Sequence, residues 1–321
     1  MDMWNFKGQE HIYKLIQNSI ATKRISHAYL LLGPEHIGKS TLALEITKYI
    51  HCLEPEKPCQ NCMHCLRILE KTHPDVITLG NSIKDVRELK QQVSLTPFLS
   101  TQKTIILNQA DKLTLEASNA LLKVLEEPPD NVTFILCALD EQYLPGTIIS
   151  RCQKLELFPL DETKIYDYLN DNYNLSSAEA SIITKLSNGR LGWAIKACTD
   201  TNVMQTRNLD ISLLIEIIEG DMSERFLISQ QLTNNYNKSK ESIYSTFETW
   251  ISYLRDLILL KNDAKELIIN IDHHDELSKS EKQFELLTII DSIKEIDKAA
   301  QNLSKNGNPR ITLDNLLIRF P

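Results

Sequence analysis

The segment Gly33-Pro34-Glu35-His36-Ile37-Gly38-Lys39-Ser40 constrains this chain more than any other. It fits G-x-x-x-x-G-K-[ST] in full. It follows the apolar run Ala28 to Leu32 and precedes a helical pattern through Leu42, Ile46 and Ile50. That strand–loop–helix context gives the motif its meaning. Glycines let backbone N–H groups curl round phosphate oxygens, and the next helix points its positive end at them. In such a loop Lys39 bridges the outer phosphates and Ser40 ligates Mg²⁺. Gly33, Pro34, Gly38, Lys39, Ser40 and Thr41 are therefore the candidate nucleotide-binding residues, with ATP or ADP as ligand. The alternative is a corner that retains the shape and binds nothing. His36 replaces what is often a third glycine and reads as an exposed side chain without a role.

Around this loop, helical and strand-like segments alternate. Short apolar runs at Ala28 to Leu32, Asp75 to Leu79, Thr104 to Leu107, Val132 to Ala138 and Lys154 to Phe158 read as strands. Helical spacing marks Gly8 to Ala21, Ile83 to Leu95 and Thr114 to Glu126, the last with Thr114 as N-cap and Pro128-Pro129 as stop. The expected fold is an α/β P-loop domain with a parallel sheet, spanning 1–160. After Pro159 the strand signal fades. Three short helices, broken near Ser176 and Gly189, fill a lid at 161–204, and long amphipathic helices fill 205–321. Apolar stripes run through Phe247, Trp250, Ile251, Leu254 and Ile258, and through Ile289, Ile290, Ile293, Ile296 and Ala300.

Charge divides unevenly along the chain. Residues 1–160 carry 17 basic and 18 acidic side chains, while 161–321 carry 18 and 25. An acidic back half repels phosphate backbones, so any direct DNA contact belongs to a local patch in the front. No run of about 18 apolar residues indicates a membrane span, and the start has no signal-peptide pattern. The cytoplasm is the expected location.

The strand Ile105-Ile106-Leu107 ends in Asn108-Gln109, the amide analogues of Asp-Glu. A P-loop hydrolase needs a carboxylate there for the Mg²⁺ shell and usually a second to activate water. Losing a general base alone costs about 10²–10⁴ in rate. The chain is expected to bind nucleotide without turning it over. Asp111 is a substitute in poor register.

Cys52, Cys59, Cys62 and Cys65 follow C-x₆-C-x₂-C-x₂-C, inside an insertion too polar to build its own core. Four thiolates suit a closed, structural Zn²⁺ site, and the metal would stabilise the 52–65 module. His51 and His64 are alternative ligands, and a free-thiol loop or a redox pair are the competing readings. Cys137, Cys152 and Cys198 read as ordinary buried cysteines.

Ser150-Arg151-Cys152 closes the segment from Leu144. A lone arginine is usually solvated or structural. At the rim of a nucleotide-binding domain its always-charged, forked guanidinium can reach a neighbour's γ-phosphate.

His27-Ala28-Tyr29-Leu30, the phosphate loop, the cysteine set, the run from Ala117 to Pro129 and Ser150-Arg151-Cys152 together resemble a bacterial clamp-loader subunit of the AAA+ family. The resemblance covers about 5–200 strongly and 205–321 only in architecture. It implies an AAA+ domain, a three-helix lid, and a collar through which five subunits form a ring. Partners would be motor subunits and the delta subunit of a hetero-pentamer, and through it the sliding clamp and primer-template DNA. The sequence departs from the motor pattern at three places. They are Asn108-Gln109, Ala138-Leu139 in place of a polar sensor threonine, and Gly192 in place of a second sensor arginine. All three point to the stator kind of subunit, with Arg151 as an arginine finger acting in trans. Arg190 lies two residues early for the sensor role. An active motor using Asp111, or a zinc-dependent DNA-binding adaptor, are the alternatives.

Overall fold

The computed structural model describes residues 6–22, 25–79, 93 and 95–320. The helix expected over Ile83 to Leu95 falls almost wholly outside them. The chain forms two compact units: Met1–Asp161 with Gly189–Trp193, and Glu162–Asn188 with Ala194–Pro321.

The first unit contains α1 (Glu10–Ala21), β1 (Ala28–Leu32), α2 (Lys39–His51), α3 (Met63–Leu69), β2 (Val76–Leu79), β3 (Lys103–Leu107), α4 (Leu115–Glu126), β4 (Val132–Ala138), α5 (Gly146–Ile149) and β5 (Gln153–Glu156). The described strands form one sheet in the order β2-β3-β4-β1-β5, every neighbouring pair parallel. Leu30 lies opposite Leu136, and Ile105 opposite Phe134.

The continuous apolar strands have a direct physical reason. Every residue of β1, β3 and β4 is buried, because helices cover both faces. Pleating then sorts the side chains alternately. Leu30, Ile105, Leu107, Phe134 and Leu136 pack with Ala117, Leu121 and Leu125 of α4. Tyr29, Leu31, Ile106 and Ile135 pack with Ile12 and Ile16 of α1 and with Leu42, Ala43 and Ile46 of α2. Thr114 caps α4 as the sequence predicts, its hydroxyl accepting the Ala117 N–H at 3.2 Å.

The second unit takes in α6 (Glu162–Asn172), α7 (Ser177–Ser187), α9 (Thr201–Glu219), α10 (Met222–Lys238), α11 (Lys240–Lys261), α12 (His274–Gln283), α13 (Leu286–Ser304) and α14 (Pro309–Ile318), while α8 (Leu191–Thr199) contributes residues to both units. Its centre is α11, which packs against α9, α10, α12 and α13. Phe247, Trp250 and Leu254 of the predicted stripe are buried, joined by Tyr253 and Leu257, whereas Ile251 and Ile258 pack at the margin. The buried face is thus wider than the stripe. Asp256 is fully buried there and accepts N–H groups from Ile269 at 2.9 Å and Asn270 at 2.7 Å. Asn270 in turn accepts from Arg207, which also pairs with Asp272. No helix of the described residues is long and apolar enough to cross a membrane.

One buried carboxylate weakens this unit. Asp210 accepts a hydrogen bond from Thr246 through Oδ1, but its Oδ2 is buried with no partner among the described residues. Burial pushes its pKa up to about 6, against the pull of Thr246. The folded chain therefore holds this proton more tightly than the unfolded chain. The stability it contributes is full below the ordinary carboxylate pKa and is lost as pH rises through about 6. Asp210→Asn is expected to stabilise the unit by about 1–3 kcal/mol at pH 7. Urea unfolding from pH 4 to 8 checks this. The variant should show a smaller decline than the wild type, the rest coming from Asp256, whose pKa burial also raises, and equal curves would refute it.

Candidate functional site

The phosphate loop leaves the carboxyl end of β1, between β4 and β5. This is the edge where parallel α/β sheets place ligands. Gly38 caps α2 with φ +107°, and a Cβ there would lie 2.7 Å from the ring of Phe6, so only glycine fits. Pro34, His36, Ser40 and Thr41 are exposed, while Ile37 anchors the loop in the core. Lys39 donates to the carbonyls of Gly33 at 2.5 Å and Pro34 at 2.8 Å. Burial lowers its pKa, and the charges of Cys137, Asp111 and Glu35 oppose that. A lysine held by loop carbonyls is stored where an anion would draw it.

The tip of β3 faces the same end of the sheet. Asn108 is half-buried, and its Oδ1 has no hydrogen-bond partner among the described residues. Asp111 follows in a single helical turn, Ala110–Lys112, and its Oδ1 accepts the Leu139 N–H at 3.3 Å. Leu139 also receives the Gly33 N–H through its carbonyl, at 3.3 Å. This carboxylate therefore ties the end of β4.

Gly192 lies in the first turn of α8, against the loop. A Cβ at this position would sit 2.6 Å from the His36 carbonyl oxygen. Backbone meets backbone here, so a side chain cannot be admitted by a rotamer change. A side chain at 192 would require the loop or the helix to shift.

Cys52, Cys59, Cys62 and Cys65 converge, with all four Sγ atoms within 4.8 Å of one another. Cys59 lies 3.9 Å from Cys65, and Cys62 lies 4.0 Å from Cys52. A tetrahedron with bonds of about 2.3 Å has sulfur–sulfur edges of about 3.8 Å, so the set fits a four-coordinate metal ion. Backbone N–H groups of Cys59 and Cys62 point at Cys52 Sγ and Cys59 Sγ, at 3.5 and 3.3 Å. Burial works against ionisation of Cys59, yet the N–H groups of Asn61 and Cys62 hold its pKa down to about 7. Burial and the Cys62 thiol push Cys65 up.

The sulfurs sit where α2 ends and α3 begins. Lys48 of α2 donates to Glu45 and to Gln60, both at 2.8 Å, and Gln60 donates back to Glu45 at 2.7 Å. This closed ring pins the cysteine loop to the phosphate-loop helix. The two alternative ligands are placed elsewhere. His51 bridges Ser100 and Thr104 at 3.0 Å each, and burial and His73 lower its pKa to about 3. His64 pairs with His73 at 2.8 Å. Asp75 closes this network. Burial opposes its charge, but N–H groups of Phe98, Leu99 and Ser100 keep its pKa low. Of the remaining cysteines only Cys137 is buried. Cys152, in the turn before β5, and Cys198, in the last turn of α8, are half-buried.

Arg151 follows α5, with about a third of its side chain exposed. Its Nη1 donates to Thr147 O at 2.9 Å, and its Nη2 donates to Glu126 Oε1 at 2.9 Å. Sequence reading missed Glu126 as a partner. It stood inside the diagnostic run ending at Pro129, but only the packing of α4 beside α5 brings it to Arg151.

Sheet order, loop and helical C-terminal part define the class: an AAA+-type P-loop domain followed by helices. Residues 8–161 match a family described as "DNA polymerase III, delta subunit". The chain is 29% identical over 316 residues to the delta-prime subunit of Bacillus subtilis DNA polymerase III, covering 97% of this chain and 95% of that protein. It is 27% identical over 339 residues to the tau subunit of the same organism, covering 98% of this chain but spanning only 60% of tau. A gamma-subunit-related protein from Thermotoga maritima aligns with TM-score 0.48 and 19% identity, covering 96% and 97% of the two chains. By these comparisons the chain is similar to subunits of DNA polymerase III, delta-prime and tau among them.

Proposed function

We propose that this chain is the stator of a clamp loader. It sits in a hetero-pentameric ring with motor subunits and delta, and presents Arg151 to ATP bound in an adjacent motor. There the guanidinium neutralises charge that builds on the γ-phosphate during transfer, an effect worth about 10³–10⁵ in rate in comparable enzymes. ATP binding in the motors closes the ring on the sliding clamp and primer-template DNA. The chain works in the cytoplasm and has no ATPase or polymerase activity of its own.

The observation that carries this reading is the amide pair Asn108-Gln109 at the tip of β3, beside a complete phosphate loop. The amides carry neither the charge that holds a metal shell nor the basicity that activates water, and the Asp111 carboxylate that follows them accepts the Leu139 N–H. Gly192 against the His36 carbonyl supports the same reading, since a sensor side chain there would require the loop or the helix to shift. Gly33, Pro34, Gly38, Lys39, Ser40 and Thr41 form a passive nucleotide site. The cysteine set holds Zn²⁺, which cross-links the ends of α2 and α3. The lid at 161–204 and collar at 205–321 serve assembly, and their acidic surface meets proteins rather than DNA.

Nucleotide turnover by the purified chain tests this. Alone, or with clamp and primed DNA, it is expected to hydrolyse ATP no faster than its Lys39→Ala variant. Turnover at the level of ordinary P-loop motors, lost on Asp111→Asn, would establish an active motor instead. Tight, salt-sensitive DNA binding by the isolated chain would favour the adaptor.

A further inference from the structure

We propose that Glu126 is the positioning residue for Arg151, an inference that rests on the trans-acting role given to Arg151 above. The two residues come from different elements, Glu126 from the last position of α4 and Arg151 from the turn after α5. The guanidinium is held at both terminal nitrogens. Thr147 O receives Nη1, and the Glu126 carboxylate receives Nη2, each at 2.9 Å. Among the described residues Nε–H makes no hydrogen bond, so this donor is left for another molecule.

An arginine side chain has several rotatable bonds, and an unpaired one at a rim samples many directions. Two hydrogen bonds from fixed points reduce that freedom to one plane. A finger that reaches a phosphate across an interface gains from arriving already oriented.

Stability gives no other reason for this pair. Glu126 is half exposed and Arg151 about one-third exposed, and exposed ion pairs add little to folding. Glu126→Ala is therefore expected to fold and to assemble.

The experiment uses the reconstituted complex and measures ATP hydrolysis stimulated by clamp and primed DNA. Glu126→Ala should lower kcat at the adjoining motor site by about 3–10-fold with KM for ATP unchanged, read in a complex whose other motor sites are inactivated. Glu126→Gln, which retains an acceptor oxygen but not the charge, should fall between wild type and Glu126→Ala. The double variant Glu126→Ala/Arg151→Ala should be no slower than Arg151→Ala alone, because the carboxylate acts only through the arginine. If Arg151→Ala is slow and Glu126→Ala is normal, positioning is overturned while the finger stands. A faster Glu126→Ala complex would mean that the carboxylate withholds the arginine, which also overturns it. A normal Arg151→Ala complex removes the finger itself, and with it this inference.

Discussion

Arg151→Ala in the assembled complex is expected to slow ATP hydrolysis at the neighbouring motor site by about 10³-fold or more. The size follows from what is lost. The charge that develops on the transferring phosphoryl group is met by a fixed cation in a site poor in water, where the interaction is strong. Among the described residues the next cation along the chain, Lys154, is paired with Glu141 and does not replace it. The whole-complex rate falls by less, because other motor sites continue. Arg151→Lys should recover little, as lysine is a point charge without the fork. Assembly should be intact, because the arginine's only described partners are Thr147, Ser150 and Glu126, all of this chain. Steady-state ATPase with clamp and primed DNA, beside a sizing column for assembly, reads both quantities. Wild-type hydrolysis by an assembled Arg151→Ala complex would sink the trans role.

Metal removal should have the largest effect on stability. Purified protein is expected to carry about one equivalent of zinc, and less than about half an equivalent, with no loss during purification, would count against the site. Structural zinc in small modules binds with about 10–16 kcal/mol, so removing one of four thiolates by Cys59→Ser should cost roughly 3 kcal/mol. In a unit of this size that lowers the melting temperature by about 6–12 °C. Part of the module should survive chelation, because the Glu45–Lys48–Gln60 ring and the His51–Thr104 bond hold it from outside the sulfur cluster. Thermal melts with and without a chelator, compared with Cys59→Ser, test this. An unchanged melt in the metal-stripped protein would show that those polar contacts suffice.

Strand positions were legible because a strand buried on both faces leaves an uninterrupted apolar run, as in Ala28 to Leu32 and Val132 to Ala138. The phosphate loop and the cysteine set were legible because their chemistry fixes local spacing. Strand ends were less so. The last strand covers Gln153–Glu156 rather than Lys154 to Phe158, since Phe158 pairs its backbone with the Gln9 side chain instead of a strand. The histidines beside the cysteines could not be assigned from sequence. Both alternatives share the same neighbourhood, and only packing shows His51 turned to Thr104 and His64 to His73.

By itself the sequence determined the α/β order, the phosphate loop, the four-cysteine set and the amides at the end of β3. Each of these is written in residues close together along the chain, where backbone geometry leaves few options. Tertiary structure decided what depends on residues far apart. It closed Gly192 against His36, sorted alternate strand residues into two cores, left the Asp210 carboxylate half satisfied, and set Glu126 beside Arg151. These contacts depend on how helices settle on the sheet and on one another, and local spacing does not encode that.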